Sequence, residues 1–148
     1  MVAGKGKIDK DLWVAITEEL SLINCIIEIK ENIQLPDDCS EMFQFFYYVI
    51  NICPNIDTSN VTDMESMFNG AILANPDTSG WDTSKVKSMM SMFERAFAAN
   101  PDTSGWDVAN VKRMNSMFYE AKAANPNTSN WNTANVTSMS YMFCRATL

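Results

Sequence analysis

The chain repeats itself with a period of 25 residues. Residues 75–99 read NPDTSGWDTSKVKSMMSMFERAFAA, residues 100–124 read NPDTSGWDVANVKRMNSMFYEAKAA, and 17 of the 25 positions are identical. A further copy begins at Asn125, and a weaker one lies upstream around Met42 and Phe43. Self-similarity at such a period is typical of stacked repeats, because one unit cannot bury its apolar face alone. The sequence therefore predicts copies that pack on one another through matching apolar columns.

Apolar residues recur at five positions in each copy. In residues 85–109 they are Val86, Met89, Met92, Phe93 and Ala96. Steps of about three and four residues place side chains on one face of an α-helix. We therefore predict a short, half-buried helix at 86–97 and at the equivalent positions of the other copies. The Asn-Pro pair that follows would end it, because the residue before proline is disfavoured in a helix.

The stretch DTSGWD of each copy is too short for a helix, and its Thr and Trp favour a brief strand. Gly or Asn precedes the Trp column, and both types tolerate positive φ, so a left-handed turn residue is predicted there. The Asp or Asn that follows is predicted to bond nearby backbone amides. The predicted left-handed positions are Asn55, Gly80, Gly105 and Asn130.

The motif W-D-T-S-x-V-x-x-M-x-x-M-F-x-x-A resembles the repeat of the bacterial surface-protein family called BspA-like, of the DUF285 type, which is a distant relative of the leucine-rich repeats. The resemblance covers about three full units and a degenerate one. It implies a curved solenoid with short strands on one side. It also implies a role in adhesion or protein binding rather than in catalysis.

The fold class predicted is α/β, a short leucine-rich-repeat-like solenoid of about four 25-residue units, each with a short helix and a short strand. The N-terminal segment 1–34 would form a capping helix, with Leu12, Ile16 and Leu20 on one face, followed by a strand in NCIIEIKENI. All of this makes one structural domain. The units are 35–59 (degenerate), 60–84, 85–109, 110–134 and 135–148 (partial).

Charge and hydropathy exclude several classes of partner. The formal net charge of -7 disfavours nucleic acid and anionic lipid, which need clustered Lys and Arg. No stretch approaches the roughly 20 apolar residues of a membrane span. The N-terminus lacks the uninterrupted apolar run of a signal peptide, so a cytoplasmic location is predicted. A cell-surface or secreted location is the alternative if the sequence is part of a longer protein.

Residue types offer little for catalysis or metal binding. The chain has no His, which excludes a Cys/His zinc site and a Ser-His-Asp triad. The four Cys residues are predicted to be reduced and mostly buried. The Asp columns could line up carboxylates for Ca²⁺, but turn capping is favoured, since Asn replaces Asp in the last copy. We therefore predict no enzyme activity, no cofactor and no metal.

The preferred function is a non-enzymatic, adhesin-like protein-interaction module of unknown partner. The alternative is a carbohydrate-binding surface in which the Trp column stacks on sugar rings, although such a column more often lies in a core. A homodimer through an uncapped C-terminal end is a further hypothesis. The predicted interaction residues are Thr78, Ser79, Thr103, Ser104, Thr128 and Ser129, and the alternative glycan platform is Trp81, Trp106 and Trp131.

Overall fold

A computed structural model describes Lys10 and residues 27–29, 33–47, 50–52 and 56–147. Two strands occur in this part of the chain, β1 (Ile27–Ile29) and β2 (Ile50–Ile52), and they pair in parallel with Ile27 opposite Ile50. Strand β1 lies within the N-terminal stretch for which a strand was predicted. The predicted capping helix lies outside the described residues except for Lys10, which is helical.

Successive copies form coils that stack in register. We number them coil 1 (35–59), coil 2 (60–84), coil 3 (85–109), coil 4 (110–134) and coil 5 (135–147). Single-residue parallel bridges join Asp63 to Ser88, Ser88 to Arg113 and Arg113 to Ser138, each one period apart. The rings of the Phe column stack almost parallel, with centroids 5.1, 5.3, 5.7 and 5.5 Å apart from coil 1 to coil 5. Each coil therefore covers the apolar side chains of the coil before it.

The prediction of a helix in each copy is wrong. In coil 3, alternate amides bond within the coil to the carbonyl three residues back, as Met92 does to Met89 (3.3 Å). The amides between them donate to coil 4, as Met89 does to the Arg113 carbonyl (2.9 Å). Ser91 (φ 54°) and Arg95 (φ 58°) adopt left-handed backbone, which a right-handed helix does not allow. The segment is a chain of overlapping β-turns whose remaining amides bond the next coil.

The predicted strand in each DTSGWD stretch is also wrong. Residues 78–81 form a β-turn closed by the Trp81 amide and the Thr78 carbonyl (3.1 Å). The contact to the next coil comes from a side chain, since the Thr78 hydroxyl donates to the Asp102 carbonyl (2.8 Å). The predicted α/β fold, with a helix and a strand in each unit, is therefore wrong. Turns within a coil and hydrogen bonds between coils pair the backbone amides and carbonyls instead.

Two smaller predictions have opposite outcomes. Gly80, Gly105 and Asn130 do not have positive φ, so the predicted left-handed column is wrong, and Asn55 lies outside the described residues. The Asp column does bond nearby amides, as Asp82 accepts from Ser84 (3.0 Å). In coil 4 the replacement Asn132 still accepts from Ala134 (3.2 Å). A neutral amide oxygen thus serves the same turn as a carboxylate.

The core is the set of columns predicted from the repeat. Side chains of the Val, Met, Met, Phe and Ala columns are fully buried in coils 2, 3 and 4, and the methionines among them fill the interior rather than the surface. This confirms that the spacing marked an inward face, even though the backbone that produces it is a turn chain. Buried in coil 3 are Val86, Met89, Met92, Phe93 and Ala96.

Candidate interaction surfaces

The Thr and Ser residues predicted as contacts divide between the interior and the surface. Thr78 and Thr103 are buried, and each hydroxyl donates to a carbonyl of the next coil. Their polar groups are used inside the stack, so the structure does not place these two on the surface. The remaining four, Ser79, Ser104, Thr128 and Ser129, are exposed. Their serines take part in turns, as Ser79 does by donating its hydroxyl to Asp77 (2.7 Å).

The Trp column does not form an exposed platform. Trp81 and Trp106 are only 3% exposed, and Trp131 is half-buried against the core. The indole N–H of Trp106 points to the Thr78 carbonyl (3.4 Å), which ties this ring to the coil below. Rings enclosed in this way offer no open face for a sugar to stack on, so the glycan alternative loses its geometric basis.

An exposed apolar patch lies where the turn chain ends, on successive coils. We call Phe45, Tyr47, Leu73 and Phe97 the apolar patch; their side chains are between 38% and 67% exposed. The Ala98 amide donates to the Ile72 carbonyl (3.0 Å), which places the coil 3 portion next to the coil 2 portion. In coil 4 the column of Phe97 carries Lys122, where the patch ends. Sequence reasoning missed it because these positions vary between copies.

Lysines line an open groove on another part of the stack. The groove has a volume of about 540 Å³, and its walls contain no acidic residue. The Lys112 amide donates to the Lys87 carbonyl (2.9 Å), so these two residues occupy adjacent rungs. Lys85 reaches the Asn60 side chain (3.0 Å) from the neighbouring column. We call this the lysine groove, and its lining is Thr62, Ser84, Lys85, Lys87, Asn110 and Lys112.

Several charges elsewhere on the surface form ion pairs between coils. Glu120 bonds Arg95 of coil 3 (3.1 Å) and Arg145 of coil 5 (2.8 Å). The hydrogen bond from Arg145, followed by that from Arg95, holds the pKa of the Glu120 carboxyl below its ordinary value. Glu65 of coil 2 pairs with Arg113 of coil 4 at 2.8 Å, across coil 3. Opposite charges therefore alternate from coil to coil in the column of Arg95, Glu120 and Arg145.

The last coil exposes side chains that the other coils bury. Met139 and Phe143 are 41% and 38% exposed, whereas Met89 and Phe93, at the same positions of coil 3, are 0% exposed. Tyr141 is 69% exposed. Within the described residues, coil 5 contacts coil 4 on one side, and its other side carries this apolar surface.

Two cysteines are described, and both are free thiols. Cys39 is buried in the column of Met64, and its thiol donates to the Pro36 carbonyl (3.2 Å). Burial raises the pKa of the Cys39 thiol to about 12, so the unreactive thiol form predominates at neutral pH. Cys144 is half-buried in coil 5. The other two, Cys25 and Cys53, lie outside the described residues.

The residues that the structure describes contain no candidate metal site and no candidate membrane span. No group of three or more Cys, Asp or Glu side chains is placed to hold a metal ion in that part of the chain. Nor does that part include a helix with the length and apolar character needed to cross a bilayer.

Comparison with known proteins identifies the family. Neither the curated proteins nor the solved structures include a match to the chain. A family model, described as Mycoplasma protein of unknown function, DUF285, matches residues 37–148. The match covers the coils from the first turn chain onward, and the Trp, Met-Phe and Ala columns that suggested this type of repeat lie within it. The chain therefore belongs to the DUF285 family.

Proposed function

We propose that this chain is a non-enzymatic protein-interaction module, with the apolar patch as its contact surface. The observation that carries the proposal is the exposure of Phe45, Tyr47, Leu73 and Phe97 on a surface otherwise dominated by polar turns. Large apolar side chains grouped on a soluble protein mark interaction sites more often than single ones do. Three of the four patch residues are aromatic, a residue type that is enriched at protein interfaces.

The patch is carried by a backbone that can hold it rigidly. Phe45 has left-handed φ (55°), and its amide donates to the Asn69 carbonyl of coil 2 (2.6 Å). Its ring lies over Gly70, where a Cβ would meet the ring carbon Cδ1 at 2.5 Å. The missing side chain at Gly70 thus makes room for the ring. A preorganised aromatic surface loses little conformational entropy on binding, which favours affinity.

A photo-crosslinking experiment tests the proposal. Replacing Phe97 with benzoylphenylalanine in the source cells should trap a defined protein partner, identified by mass spectrometry. The matched control places the same group at Ser104, an exposed turn position outside the patch. Adducts that form at Phe97, fail at Ser104 and disappear on Leu73→Asp would support the module. Equal adducts at both positions would contradict it.

A second proposal concerns self-association through coil 5. Met139, Tyr141 and Phe143 form an exposed apolar face. Among the described residues, their amides donate to no backbone carbonyl and the Thr137 carbonyl accepts from no backbone amide, so this edge offers both donors and an acceptor. In coils 2 to 4 the equivalent amides all donate to a following coil, as Met114 does to Ser138 (2.9 Å). An edge with both kinds of group can pair with a second copy about a two-fold axis. We propose such a homodimer.

Sedimentation velocity at tens of micromolar checks this homodimer. A species of twice the monomer mass is expected, and Tyr141→Glu with Phe143→Glu should return it to a monomer. The control Phe97→Glu changes an apolar residue of similar exposure outside coil 5 and should leave the dimer intact. A clean monomer of the unaltered chain would refute the proposal without affecting the apolar patch.

A further inference from the structure

The lysine groove differs from the column in which the stack pairs opposite charges. Lys87 and Lys112 occupy adjacent rungs, which lie about 4.8 Å apart in a parallel ladder. Like charges on neighbouring rungs destabilise a ladder. Among the described residues, neither lysine has a carboxylate within 4 Å. By contrast, Glu120 separates Arg95 and Arg145 in their column.

Three lysines therefore lie together, without acidic neighbours in the groove wall, on a chain whose formal net charge is -7. An anion that enters the groove would relieve the repulsion between Lys87 and Lys112. Asn110 and Thr62 add neutral polar groups beside the lysines. The groove is thus positively charged on a molecule that is negatively charged overall. Because the rest of the surface repels anions, the groove favours a short anionic ligand over an extended polyanion.

We propose that the lysine groove binds a short acidic segment of a partner protein through its Asp or Glu side chains. This inference rests on the proposed interaction function and names the chemistry of the partner. All three cations are Lys, a flexible point charge, whereas bidentate phosphate recognition favours the rigid fork of Arg. Alternate side chains of an extended segment lie about 6.6 Å apart on one face, a spacing that flexible lysines can follow.

The experiment uses fluorescein-labelled octaglutamate and measures anisotropy with the 148-residue chain at low and at physiological salt. Octaglutamate should bind, octaglutamine should not, and binding should weaken as salt rises. The triple variant Lys85→Gln, Lys87→Gln and Lys112→Gln should lose affinity by about tenfold or more, since each exposed ion pair contributes modestly.

A control variant matches the charge of the triple variant. Lys122→Glu with Asn130→Asp also lowers the net charge by three, at exposed positions outside the groove. It should retain octaglutamate binding. If both variants lost the same octaglutamate affinity, the effect would come from overall charge and the proposal would be overturned. The absence of octaglutamate binding to the unaltered chain would also overturn it. Displacement of octaglutamate by millimolar inorganic phosphate at constant ionic strength would assign the groove to phosphate and also overturn it.

Failure of this inference is distinguishable from failure of the proposed function. The crosslink at Phe97 reports the apolar patch and does not depend on the groove lysines. If the chain forms the Phe97 adduct but does not bind octaglutamate, the proposed interaction function stands and the inference of an acidic partner fails.

Discussion

Coils 3 and 5 carry nearly the same motif in different surroundings. Phe93 lies between Phe68 and Phe118, with ring centroids 5.3 and 5.7 Å away. Among the described rings, Phe143 stacks on Phe118 alone. Their exposed fractions are 0% and 38%, although both follow a methionine in the same chain of turns. The backbone conformation is unchanged, since Ser91 and Tyr141 have φ of 54° and 58°. Burial in this fold is thus supplied by the neighbouring coil, while the turn chain forms in each coil alike.

The largest expected effect comes from truncating the stacked rings. Phe93→Ala should lower the free energy of unfolding by about 3–5 kcal/mol, because it removes a buried ring and leaves a cavity. Phe143→Ala should lower it by about 1–2 kcal/mol, because part of that ring is already in water. Urea denaturation of both variants, at a concentration where the chain is monomeric, measures the difference. Equal losses would mean that coil 5 is covered on both sides.

Much of this comparison is visible in the sequence. The period and the Val, Met, Phe and Ala columns predicted which side chains face inward, because a column recurs only if each member meets the same neighbours. The turn chain was not predictable from the spacing of Met89, Met92 and Phe93, since a helix and a chain of turns both bring such residues to one face. Ser91 and Arg95 are not residue types that signal positive φ. Hydrogen bonds to the next coil stabilise that backbone, and they connect residues about 24 positions apart.

The candidate surfaces were less predictable than the core. Phe45, Tyr47, Leu73 and Phe97 belong to no uniform column, so the repeat gives no reason to group them. The lysines of the groove were visible as residues, but the absence of acidic side chains from the groove lining depends on which side chains the stack brings together. Repetition thus specifies the interior of this protein, and the positions that depart from it form the surfaces.

A second pair of variants separates the local backbone from the neighbouring coil. Gly70→Ala should cost about 1–2 kcal/mol, because φ at this position is +70° and the new Cβ would displace the Phe45 ring. Gly105→Ala should change stability by less than about 0.5 kcal/mol, because its Cβ would meet only the Ser79 carbonyl at 3.8 Å. Thermal or urea unfolding of the two variants gives the comparison. A larger loss at Gly105 would contradict the turn geometry.

A smaller effect is expected where a hydroxyl bonds the next coil. Thr103 is buried and donates to the Asn127 carbonyl (2.9 Å), so Thr103→Val should cost about 1 kcal/mol by removing this bond. Thr128, one period later, is exposed, and Thr128→Val should be neutral within about 0.5 kcal/mol. The stability lost on Thr→Val therefore depends on whether a following coil accepts the hydrogen bond of the hydroxyl. Equal losses of unfolding free energy at both positions would refute this reading.

The smallest effect concerns the Asp column and its response to acid. Hydrogen bonds from Ser84, first from its hydroxyl and then from its amide, lower the pKa of Asp82. A carboxyl with a lowered folded-state pKa adds stability above its unfolded pKa of about 4, and this is lost as pH falls through the folded value. Because Asp82 is exposed, solvent screening limits the contribution to a few tenths of a kcal/mol.

Asp82→Asn tests this contribution, since it gives coil 2 the residue type that coil 4 has at Asn132. The variant should lose less stability than the unaltered chain when urea midpoints are compared at pH 7 and pH 3. Ser84→Ala, which keeps the carboxyl and removes the hydroxyl donor, should raise the pKa of Asp82 toward its ordinary value in an NMR titration. If Asp82→Asn loses as much stability in acid as the unaltered chain, the Ser84 bonds do not favour the carboxylate. The difference between Asp and Asn coils would then lie in net charge alone, because the turn accepts either oxygen.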